Sequence, residues 1–461
     1  ISMEFATQEE FEQVLSQVET DGHTNIRWVD FIYSDLTGVI RGKRVPLLEA
    51  SKVFKEGIQL PVSAHFLDCL GGITNIDEDT NFRKGFDDGD HDNLWKPIKN
   101  QIHHVPWDPE IIQCMISMED EQGKPSQVDP RNQLIKMIKQ FKKLKLKAVI
   151  AFELEFYLFS QERGKDGKPL LASQDSKQQV YSIEELDLFR DLLDEIHENA
   201  HKQNIPTSSM ISEFSENMLE VNLKHSADLL HAADSASLLR RVIKETAKKR
   251  GLKASFMPKP FLDKNGCGCH VHISLYNEKG ENVFVSSSGG FSNLLKYSIS
   301  GMQDLLYESL AIFCPDRNAF RRLEPHNFVP MSKSWGRNNR SVGFRIPLSS
   351  ASNTRIEHRM GASNANAYLV LSAILIAVME GIKNKKNPAH FVEYKTYGGN
   401  ILKNDPMPKN IHEALKLFEN SSVLKKYLGS DYVKLYTNVK RGEEMHLQNS
   451  FIPAEEYNFY L

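Results

Sequence analysis

The sequence predicts an α+β fold with at least two domains. The chain has 461 residues, which exceeds the size at which a single hydrophobic core usually keeps growing. Residues 26–45 contain two β-rich runs around a glycine-containing loop, which predicts an early hairpin. Beyond a break at residues 121–125, patterns typical of helices and strands alternate irregularly. We therefore expect one domain over residues 1–122 and a second over residues 123–461.

The composition excludes several classes of protein. Hydrophobic residues make up 40% of the chain, charged residues 25%, and the formal net charge is -3, so neither disorder nor a nucleic-acid partner is expected. The longest apolar run, Tyr368 to Met379, is shorter than the roughly 20 residues that cross a bilayer. It predicts a buried helix and no membrane partner.

The cysteines and the first residues predict a cytoplasmic protein. Five cysteines, an odd number without a framework spacing, argue against a disulfide-stabilised secreted protein. No basic region followed by an apolar stretch is present at the start of the sequence. Cys267 and Cys269 are close enough in sequence to suggest a zinc site, but no second cysteine pair lies nearby. Zinc is therefore disfavoured.

Three segments carry helical patterns and one carries a loop pattern. A basic helix is predicted over residues 132–147, and a capping box at Ser182 and Glu185 opens a second helix whose apolar face runs to Ala200. A third helix covers roughly residues 226–250. Glycines and acidic residues fill residues 71–93, which predicts a solvated loop, because the spacing lacks the glycine and terminal glutamate of a calcium loop.

Four segments alternate ionisable and apolar residues with the two-residue period of a β-strand. Alternate residues of a strand point to opposite faces, so each segment places its ionisable side chains on one face. Taken singly, each has a plainer interpretation, namely a solvated edge strand, a packed histidine or an ion-pair network. The four segments are Phe152–Phe156, Glu220–Leu223, His270–Leu275 and Arg355–Arg359.

Together these strands predict a metal site. Five carboxylates and one imidazole on inward faces carry more negative charge than a structural network tolerates without cations. Oxygen-rich ligation with one histidine suits two or more Mg²⁺ or Mn²⁺ ions. The candidate ligands are Glu153, Glu155, Glu213, Glu220, His270 and Glu357.

A dense group of arginines predicts phosphate chemistry. Guanidinium forks suit phosphate and carboxylate oxygens, and a nucleic-acid surface is the competing interpretation, which the negative net charge disfavours. The sequence contains no GxxxxGK[ST] loop, so metals and arginines would hold a nucleotide. The arginines are Arg317, Arg321, Arg322, Arg337, Arg340, Arg345, Arg355 and Arg359.

Four segments resemble the signature segments of the glutamine synthetase family, in order and at the family's spacing. They read EFSENMLEVNL, MPKPFLDKNGCGCHVHISL, NNRSVGFRIP and RIEHR. The first departs from the family's usual Gly-Gln before its last glutamate. The resemblance covers most of the chain and implies a small N-terminal β-grasp domain and a catalytic domain built on a curved antiparallel sheet. It also implies a homo-oligomer of stacked rings, expected to be a dodecamer, with sites between neighbouring subunits.

The resemblance implies a role for each matching residue. One metal would be held by Glu155, Glu213 and Glu220, and the other by Glu153, His270 and Glu357. Glutamate would be bound by Asn265, Gly266, Arg322 and Arg359. ATP and its phosphates would be bound by His272, Ser274, Arg340, Arg345 and Arg355. We expect Arg322, Arg340 and Arg359 to act in catalysis, as glutamate attacks ATP to give γ-glutamyl phosphate, which an amine then converts to the amide.

Two departures from the family pattern bear on the amine. Ammonia-using relatives carry a flap glutamate and an N-terminal aspartate at the positions where this sequence has Phe328 and, less securely aligned, Pro61. Losing two carboxylates removes a compact cation site, so a primary amine such as putrescine is the expected acceptor. The segment RIEHR with the following GASNANAY is most similar to γ-glutamylpolyamine synthetases.

Other interpretations stay open at this point. The chain could be an ammonia-dependent glutamine synthetase or a non-catalytic, structural or regulatory member of the family. Residues around His65, Phe66, Phe328 and Trp335 are expected to shape the amine pocket. The acidic residues between 77 and 92 are a candidate for steering a cationic amine toward the site.

Overall fold

The computed structural model describes residues 4–73, 89–120, 122–165, 167–325, 328–393 and 406–450. In these residues the α-helices are α1 (Gln8–Thr20), α2 (Leu47–Glu56), α3 (Pro130–Phe141), α4 (Ile183–Leu188), α5 (Arg190–Lys202), α6 (Leu229–Lys249), α7 (Asn293–Leu305), α8 (Leu310–Phe313), α9 (Arg317–Arg322), α10 (Ala367–Asn384), α11 (Ile411–Asn420), α12 (Ser422–Leu428) and α13 (Ser430–Ser450). The strands are β1 (Trp28–Ser34), β2 (Ile40–Pro46), β3 (Ile58–Pro61), β4 (Asp92–His104), β5 (Ile111–Met118), β6 (Lys147–Arg163), β7 (Pro169–Leu171), β8 (Thr207–Ser212), β9 (Met218–Leu223), β10 (Leu252–Ser255), β11 (Cys269–Tyr276), β12 (Trp335–Arg337), β13 (Phe344–Ile346) and β14 (Ile356–His358). Short 3-10 helices cover Val62–His65, Lys142–Leu144 and Ala351–Asn353. The predicted α+β class is confirmed.

A five-stranded sheet forms the first part of the chain, in the order β2-β1-β5-β4-β3. The predicted hairpin is β1 and β2, which pair antiparallel, and Asp35 closes its turn by accepting the backbone N–H of Thr37 at 2.9 Å. Phe11 of α1 stacks on Phe54 of α2 with ring centroids 4.5 Å apart, and Phe54 contacts Phe31 of β1. The two helices therefore cover one face of this sheet, which corresponds to the β-grasp part of the predicted fold.

A nine-stranded sheet forms the larger part of the fold and curls into a half-barrel. Its main path runs β12-β13-β14-β11-β6-β9-β8, and β7 and β10 also pair with β6. Every pairing is antiparallel except β12 with β13. Phe152, Leu154 and Phe156 of β6 are fully buried, and α6 packs behind β6 and β10. One face of the sheet is thus apolar core, which leaves the other face for polar side chains.

The register of the central strands brings the predicted ligands together. β6 lies between β11 and β9, and β11 lies between β6 and β14. Directly opposite residues of an antiparallel pair have Cβ atoms about 5 Å apart. The facing pairs are Glu153 with His270, Glu155 with Glu220, and His272 with Glu357.

The predicted buried helix is α10. In the described residues it is the one helix long and apolar enough to cross a bilayer by length and composition, and 78% of its apolar window is buried inside the protein. It packs against α7 at two glycines. A Cβ on Gly301 would lie 2.0 Å from the carbonyl oxygen of Ala377, and a Cβ on Gly381 would lie 2.0 Å from that of Tyr297. Only glycine allows the two helix backbones to come this close.

The helix predicted over residues 132–147 is wrong at its C-terminal end. Helix α3 is capped by Asp129, which accepts the N–H of Arg131 at 2.8 Å, and it ends at Phe141. Lys145 then has a φ of 54°, and β6 begins at Lys147. The basic residues at the end of the predicted helix therefore belong to a turn and a strand, because the central strand takes up the apolar residues that follow.

The helix predicted from the capping box is interrupted. The N–H of Glu185 is bonded to the hydroxyl of Ser182 at 3.2 Å, as predicted, but α4 ends at Leu188. Phe189 adopts φ −108° and ψ 17°, and α5 restarts at Arg190. The apolar period continues across the break, since Phe189 remains buried. The third predicted helix is α6, capped by Asp228.

The acidic stretch is only partly described. Residues 74–88, with most of the predicted acidic residues, lie outside the described residues. Of the remainder, Asp90 accepts hydrogen bonds from the N–H and hydroxyl of Ser63, at 3.2 Å and 2.5 Å. Asp92 begins β4 opposite Pro61.

Candidate active site

All six predicted metal ligands line one cavity of about 230 Å³ on the polar face of the nine-stranded sheet. Two come from β6, one from β9, one from β11 and one from β14, and Glu213 follows β8. The convergence of the five strand residues follows from the strand register. The six are Glu153, Glu155, Glu213, Glu220, His270 and Glu357.

Glu153, His270 and Glu357 form the first group with metal-binding geometry, each offering a ligand atom within 4.8 Å of the other two. Nδ1 of His270 lies 3.3 Å from Oε2 of Glu153 and 3.7 Å from Oε1 of Glu357. These three residues are the set that the resemblance implies for one metal.

Glu155, Glu220 and His270 form the second such group. Nε2 of His270 lies 3.9 Å from Oε1 of Glu155, while Oε2 of Glu155 accepts the N–H of Gly268 at 2.5 Å. The resemblance implies Glu213 in this set instead of His270. Glu213 lines the same cavity but is not one of this group.

The carboxyl groups of the cavity are held in unequal charge states. Burial, followed by the charges of Glu155 and Glu153, raises the pKa of Glu213 to about 8. Burial and the same two charges also raise the pKa of Glu220 well above its usual range. A buried carboxyl that is neutral beside ionised neighbours marks a place where a cation would restore the charged form.

The opposite shift occurs where positive groups lie close. Burial alone would raise the pKa of Glu357, but the charge of Arg359 and the neighbouring histidines lower it to about 2. Burial likewise opposes ionisation of Glu153, yet His272 and His270 lower its pKa well below the usual range. The donor set therefore fits a hard divalent cation, with carboxylate oxygens and one imidazole as ligands.

Arginines surround the carboxylates. Glu357 accepts from Arg345 at 2.7 Å and from Arg359. Arg322 donates to the carbonyl oxygens of Met360 and Arg359, at 3.2 Å each. The Nε atoms of Arg322, Arg345 and Arg359 are buried and have no hydrogen-bond partner among the described residues. These guanidinium groups line the cavity together with Arg340 and are available to oxygens of a ligand.

Asn265 and Gly266 also line the cavity, as predicted. The backbone N–H and side-chain amide of Asn265 both donate to the hydroxyl of Ser215, at 2.9 and 3.2 Å. A Cβ on Gly266 would lie 2.6 Å from the carbonyl oxygen of Pro258 and 2.8 Å from Cγ of Arg322. Glycine is therefore required here for Arg322 to reach its position.

Three predicted nucleotide residues lie beside the cavity and do not line it. His272 and Ser274 continue the polar face of β11 beyond His270, and both are buried. Nε2 of His272 contacts Oε1 of Glu153 at 2.8 Å, and Nε of Arg355 donates to Nδ1 of His272 at 3.1 Å. They extend the site along the strand, away from the metal-type groups.

The cavity has an apolar wall, and of its residues only Phe328 was singled out from the sequence. The rings of Phe214 and Phe328 lie 5.2 Å apart, and Phe328 has a φ of 58°. A usable signal was present, because Phe214 directly follows a predicted ligand. The other apolar or aromatic members are Tyr181, Ile211, Met218 and Val329.

Three residues expected around the amine pocket do not line this cavity. The fully buried ring of His65 stacks on Trp95 in the first sheet, with centroids 4.6 Å apart, and Phe66 is buried beside it. Trp335 packs against Phe391. Within this chain these residues pack against their neighbours, and their expected role near the amine stays a prediction.

Zinc remains disfavoured. Cys267 and Cys269 are both buried, and burial raises the pKa of Cys269 to about 11, so the thiolate that zinc requires is scarce. Neither cysteine belongs to a metal-type group within the described part of the chain.

A half-barrel sheet with converging carboxylates, a histidine and arginines is typical of enzymes that combine divalent metals with phosphate chemistry. The model of the glutamine synthetase catalytic domain matches residues 127–460. The chain therefore belongs to the glutamine synthetase family.

Individual relatives agree with this assignment. The chain is 35% identical over 442 residues to γ-glutamylputrescine synthetase PuuA of Escherichia coli (strain K12), covering 94% of this chain and 91% of that protein. It is 31% identical over 423 residues to a glutamine synthetase of Pyrococcus horikoshii, covering 91% and 89%. The solved structure of apo GmaS without ligand has a similar fold, with a TM-score of 0.80, 24% identity, and coverage of 96% of this chain and 98% of that chain.

Proposed function

We propose that this protein is an ATP-dependent ligase that joins the γ-carboxylate of glutamate to a primary amine, with putrescine or a related amine as acceptor. The observation that carries the proposal is the convergence of six metal-type ligands and four arginines on one cavity that also has an apolar wall. The Escherichia coli relative that is 35% identical to this chain is a γ-glutamylputrescine synthetase. Glutamate and an amine as substrates, ATP and divalent metal are properties of the family as a whole.

The two metal-type groups would hold Mg²⁺ or Mn²⁺ ions. One ion would be bound by Glu153, His270 and Glu357, and the other by Glu155, Glu213 and Glu220. When bound, these cations neutralise charge on the phosphates of ATP. The first group coincides with three residues whose ligand atoms lie within 4.8 Å of one another, which supports the division into two sites.

The arginines and the glycine segment would place glutamate and ATP for in-line reaction. Asn265, Gly266, Arg322 and Arg359 would hold glutamate, so that its γ-carboxylate oxygen attacks the γ-phosphorus of ATP and ADP leaves. His272, Ser274, Arg340, Arg345 and Arg355 would hold ATP and its phosphates. The amine nitrogen then attacks the carbonyl carbon of γ-glutamyl phosphate, inorganic phosphate leaves, and the nitrogen loses a proton. Arg322, Arg340 and Arg359 would stabilise the negative charge that develops on the transferred groups.

The apolar wall favours an alkyl amine over ammonium. Phe328 occupies the flap position where ammonia-using relatives have a glutamate, and its ring contacts Phe214 instead of presenting a charge. Burying the methylene groups of an alkyl amine against this surface stabilises the complex by about 0.8 kcal/mol for each methylene. Ammonium has no methylene groups to bury. Ammonia-dependent glutamine synthesis remains the second candidate, favoured by the similarity to the glutamine synthetase of Pyrococcus horikoshii.

A non-catalytic role is disfavoured by the complete ligand set. Loss of catalysis would relax the need to keep six ionisable groups together, because burying them is costly without cations. All six line one cavity.

We also propose the remaining features of the protein from the family resemblance. The chain would fold as two domains, residues 1–122 and 123–461, and assemble as stacked rings, with a dodecamer as the expected form. Its expected location is the cytoplasm. The acidic residues between 77 and 92 would steer a cationic amine toward the site. Most of them lie outside the described residues.

A phosphate-release assay with a panel of amines tests the function. With glutamate, ATP and Mg²⁺ or Mn²⁺, we expect putrescine to support faster release than ammonium at equal concentration. The variant Glu153→Gln should abolish release, whereas Glu162→Gln, an exposed position on the same strand, should leave it unchanged. Ammonium as the best acceptor would establish the second candidate function instead, and nucleotide binding without release on any amine would establish a non-catalytic protein.

A further inference from the structure

A second cavity of about 280 Å³ lies behind the catalytic sheet and shares no lining residue with the candidate active site. It is enclosed by the turn between β1 and β2, by α6 and by α13. Its apolar lining includes Val39, Ile40, Phe256, Met257 and Pro315. The cavity is large enough for a small metabolite.

Two cationic side chains of α6 face this cavity without a counter-ion. Arg240 and Lys244 are four residues apart, so they lie on successive turns of one helix face. Arg240 is only 8% exposed, and its Nε has no hydrogen-bond partner in the part of the chain that the structure describes, while one terminal nitrogen donates to the carbonyl oxygen of Ala365 at 2.8 Å. Within the described residues, neither side chain forms an ion pair with a carboxylate.

This arrangement is costly in the absence of a ligand. Like charges at this helical spacing repel each other, and a buried guanidinium without an anion loses hydration that one hydrogen bond to a carbonyl oxygen replaces only in part. Burial lowers the pKa of the Arg240 guanidinium. The ring of Phe256 lies 5.9 Å from the guanidinium carbon and 6.0 Å from the ammonium nitrogen, which compensates only in part.

The carboxylates that line the cavity are already engaged elsewhere. Glu443 lies 3.0 Å from the ammonium of Lys440 and accepts the N–H of Cys69. Asp316 caps α9 and accepts from Asn364.

The remaining lining charges on α6 also have other partners. Glu245 lies 3.8 Å from Lys248, and Arg241 lies 3.9 Å from Asp30 and over the ring of Trp107. The positive charge at Arg240 and Lys244 is therefore the uncompensated feature of the cavity.

We propose that this cavity is a binding site for a small organic anion, with a carboxylate or phosphate group held between Arg240 and Lys244. Its carbon skeleton would contact Phe256 and Met257. The guanidinium supplies directed N–H donors, and the ammonium supplies a second charge that can rotate to meet the anion. The inference is independent of the reaction proposed above, because the site shares no residue with the catalytic cavity.

Isothermal titration calorimetry on the whole protein tests this site, with inorganic phosphate and succinate as probes at constant ionic strength. Lys244→Met removes one charge from an accessible side chain, which avoids disturbing the buried Arg240. We expect at least one of the two anions to bind the wild type, and Lys244→Met to weaken it by about tenfold or more, as loss of a charge-assisted hydrogen bond implies. Lys248→Met, one turn further along α6 and outside the cavity, should bind like the wild type.

Two further measurements separate this site from the catalytic arginines. Lys244→Arg should restore binding, and Lys244→Met should retain wild-type turnover when no anion is added, which shows that the fold and the active site are intact. Equal affinity of wild type and Lys244→Met would assign the bound anion to the catalytic cavity and overturn the proposal. Absence of binding by both probes would overturn it as well.

Discussion

Nε2 of His272 lies 2.8 Å from Oε1 of Glu153, and Nε of Arg355 donates to Nδ1 of the same ring at 3.1 Å. Arginine nitrogens only donate, so Nδ1 must be the accepting nitrogen and the proton must be on Nε2, directed at Glu153. His272 thereby connects a proposed metal ligand to a proposed nucleotide residue. A histidine that orients a metal-ligating carboxylate usually affects the affinity for the metal. Here we expect it to affect the binding of ATP as well.

The variant His272→Asn should bind both the metal and ATP more weakly. We expect the Mn²⁺ concentration for half-maximal rate and the KM for ATP each to rise about tenfold, the lower part of the range for residues that orient metal ligands. Steady-state kinetics with varied Mn²⁺ and ATP measure both. His225→Asn is a suitable control, because that ring lies 6.1 Å from His272 and outside the hydrogen-bonded chain. A rise in the KM for ATP alone would show that His272 has no influence on the metal.

Glu220→Gln should separate metal binding from folding. Burial and the charges of Glu153 and Glu155 raise the pKa of Glu220 well above its usual range, so the metal-free protein disfavours its ionised form. A neutral amide then costs little, and the Tm of the metal-free variant should equal or exceed that of the wild type. Mn²⁺ should raise the Tm of the wild type by more than that of the variant, which keeps the group of Glu153, His270 and Glu357, and activity should fall at least 100-fold. Thermal denaturation with and without Mn²⁺ measures this.

The matching variant at the other metal-type group should behave differently. Glu357→Gln removes the negative charge that pairs with Arg345 and Arg359 and replaces one of the two acceptor oxygens with an NH₂ donor. Burial alone would raise the pKa of Glu357, but the charge of Arg359 and the neighbouring histidines lower it to about 2. The folded protein therefore relies on the ionised form of Glu357. We expect a loss of about 3 kcal/mol or more in the free energy of unfolding. Similar stability for the two variants would contradict the unequal charge states.

Metal binding should depend on pH. Glu213, with a pKa raised to about 8 by burial and two neighbouring carboxylates, binds a proton below that value in the metal-free protein, and a cation must displace it. Affinity for Mn²⁺ should therefore rise from pH 6 to pH 8 and level off above it, with protons released on binding. Calorimetry in two buffers of different ionisation enthalpy measures the released protons. A pH-independent affinity over this range would contradict the proposed set of ligands.

The convergence of the candidate metal ligands was predictable from the sequence, because most of their positions follow from strand periodicity. Alternation in the segments of β6, β9 and β11 selected Glu153, Glu155, Glu220 and His270 without any knowledge of contacts, and the antiparallel register then brought them together. Glu213 was harder to predict, since it lies at the end of an irregular stretch. Its position follows from tertiary structure, where its N–H donates to the carbonyl of Met218 at 2.8 Å.

The apolar wall and the helix ends were not predictable to the same degree. Phe214 and Phe328 are 114 positions apart in the printed sequence, and nothing local to either predicts that their rings meet. The end of α3 at Phe141 depends on the competition between a helical pattern and a central strand, which tertiary pairing decides.

The amine preference should depend on Phe328. Phe328→Glu replaces an apolar surface by a carboxylate at the flap, so the ratio of kcat/KM for ammonium to that for putrescine should rise about tenfold or more. Phe328→Leu is the control, because it keeps an apolar side chain and should keep the preference. Rates with both amines for the three proteins measure the ratio. An unchanged ratio in Phe328→Glu would assign amine selection to other residues.

Gly266→Ala should impair glutamate binding with a small effect on folding elsewhere. The added Cβ would lie 2.6 Å from the carbonyl oxygen of Pro258 and 2.8 Å from Cγ of Arg322, so Arg322 must move. We expect the KM for glutamate to rise by about tenfold or more, while the KM for ATP changes little. Steady-state kinetics with each substrate varied in turn measure this. Equal effects on the two constants would show that the glycine supports the site as a whole and not the glutamate position.

Diffraction at the manganese absorption edge from crystals grown with Mn²⁺ tests the central claim most directly. Two anomalous peaks are predicted in the catalytic cavity, each about 2.0 to 2.4 Å from its ligands. One peak should contact Glu153, His270 and Glu357, and the other Glu155, Glu213 and Glu220. Peaks at other residues, or none in this cavity at saturating Mn²⁺, would contradict the account.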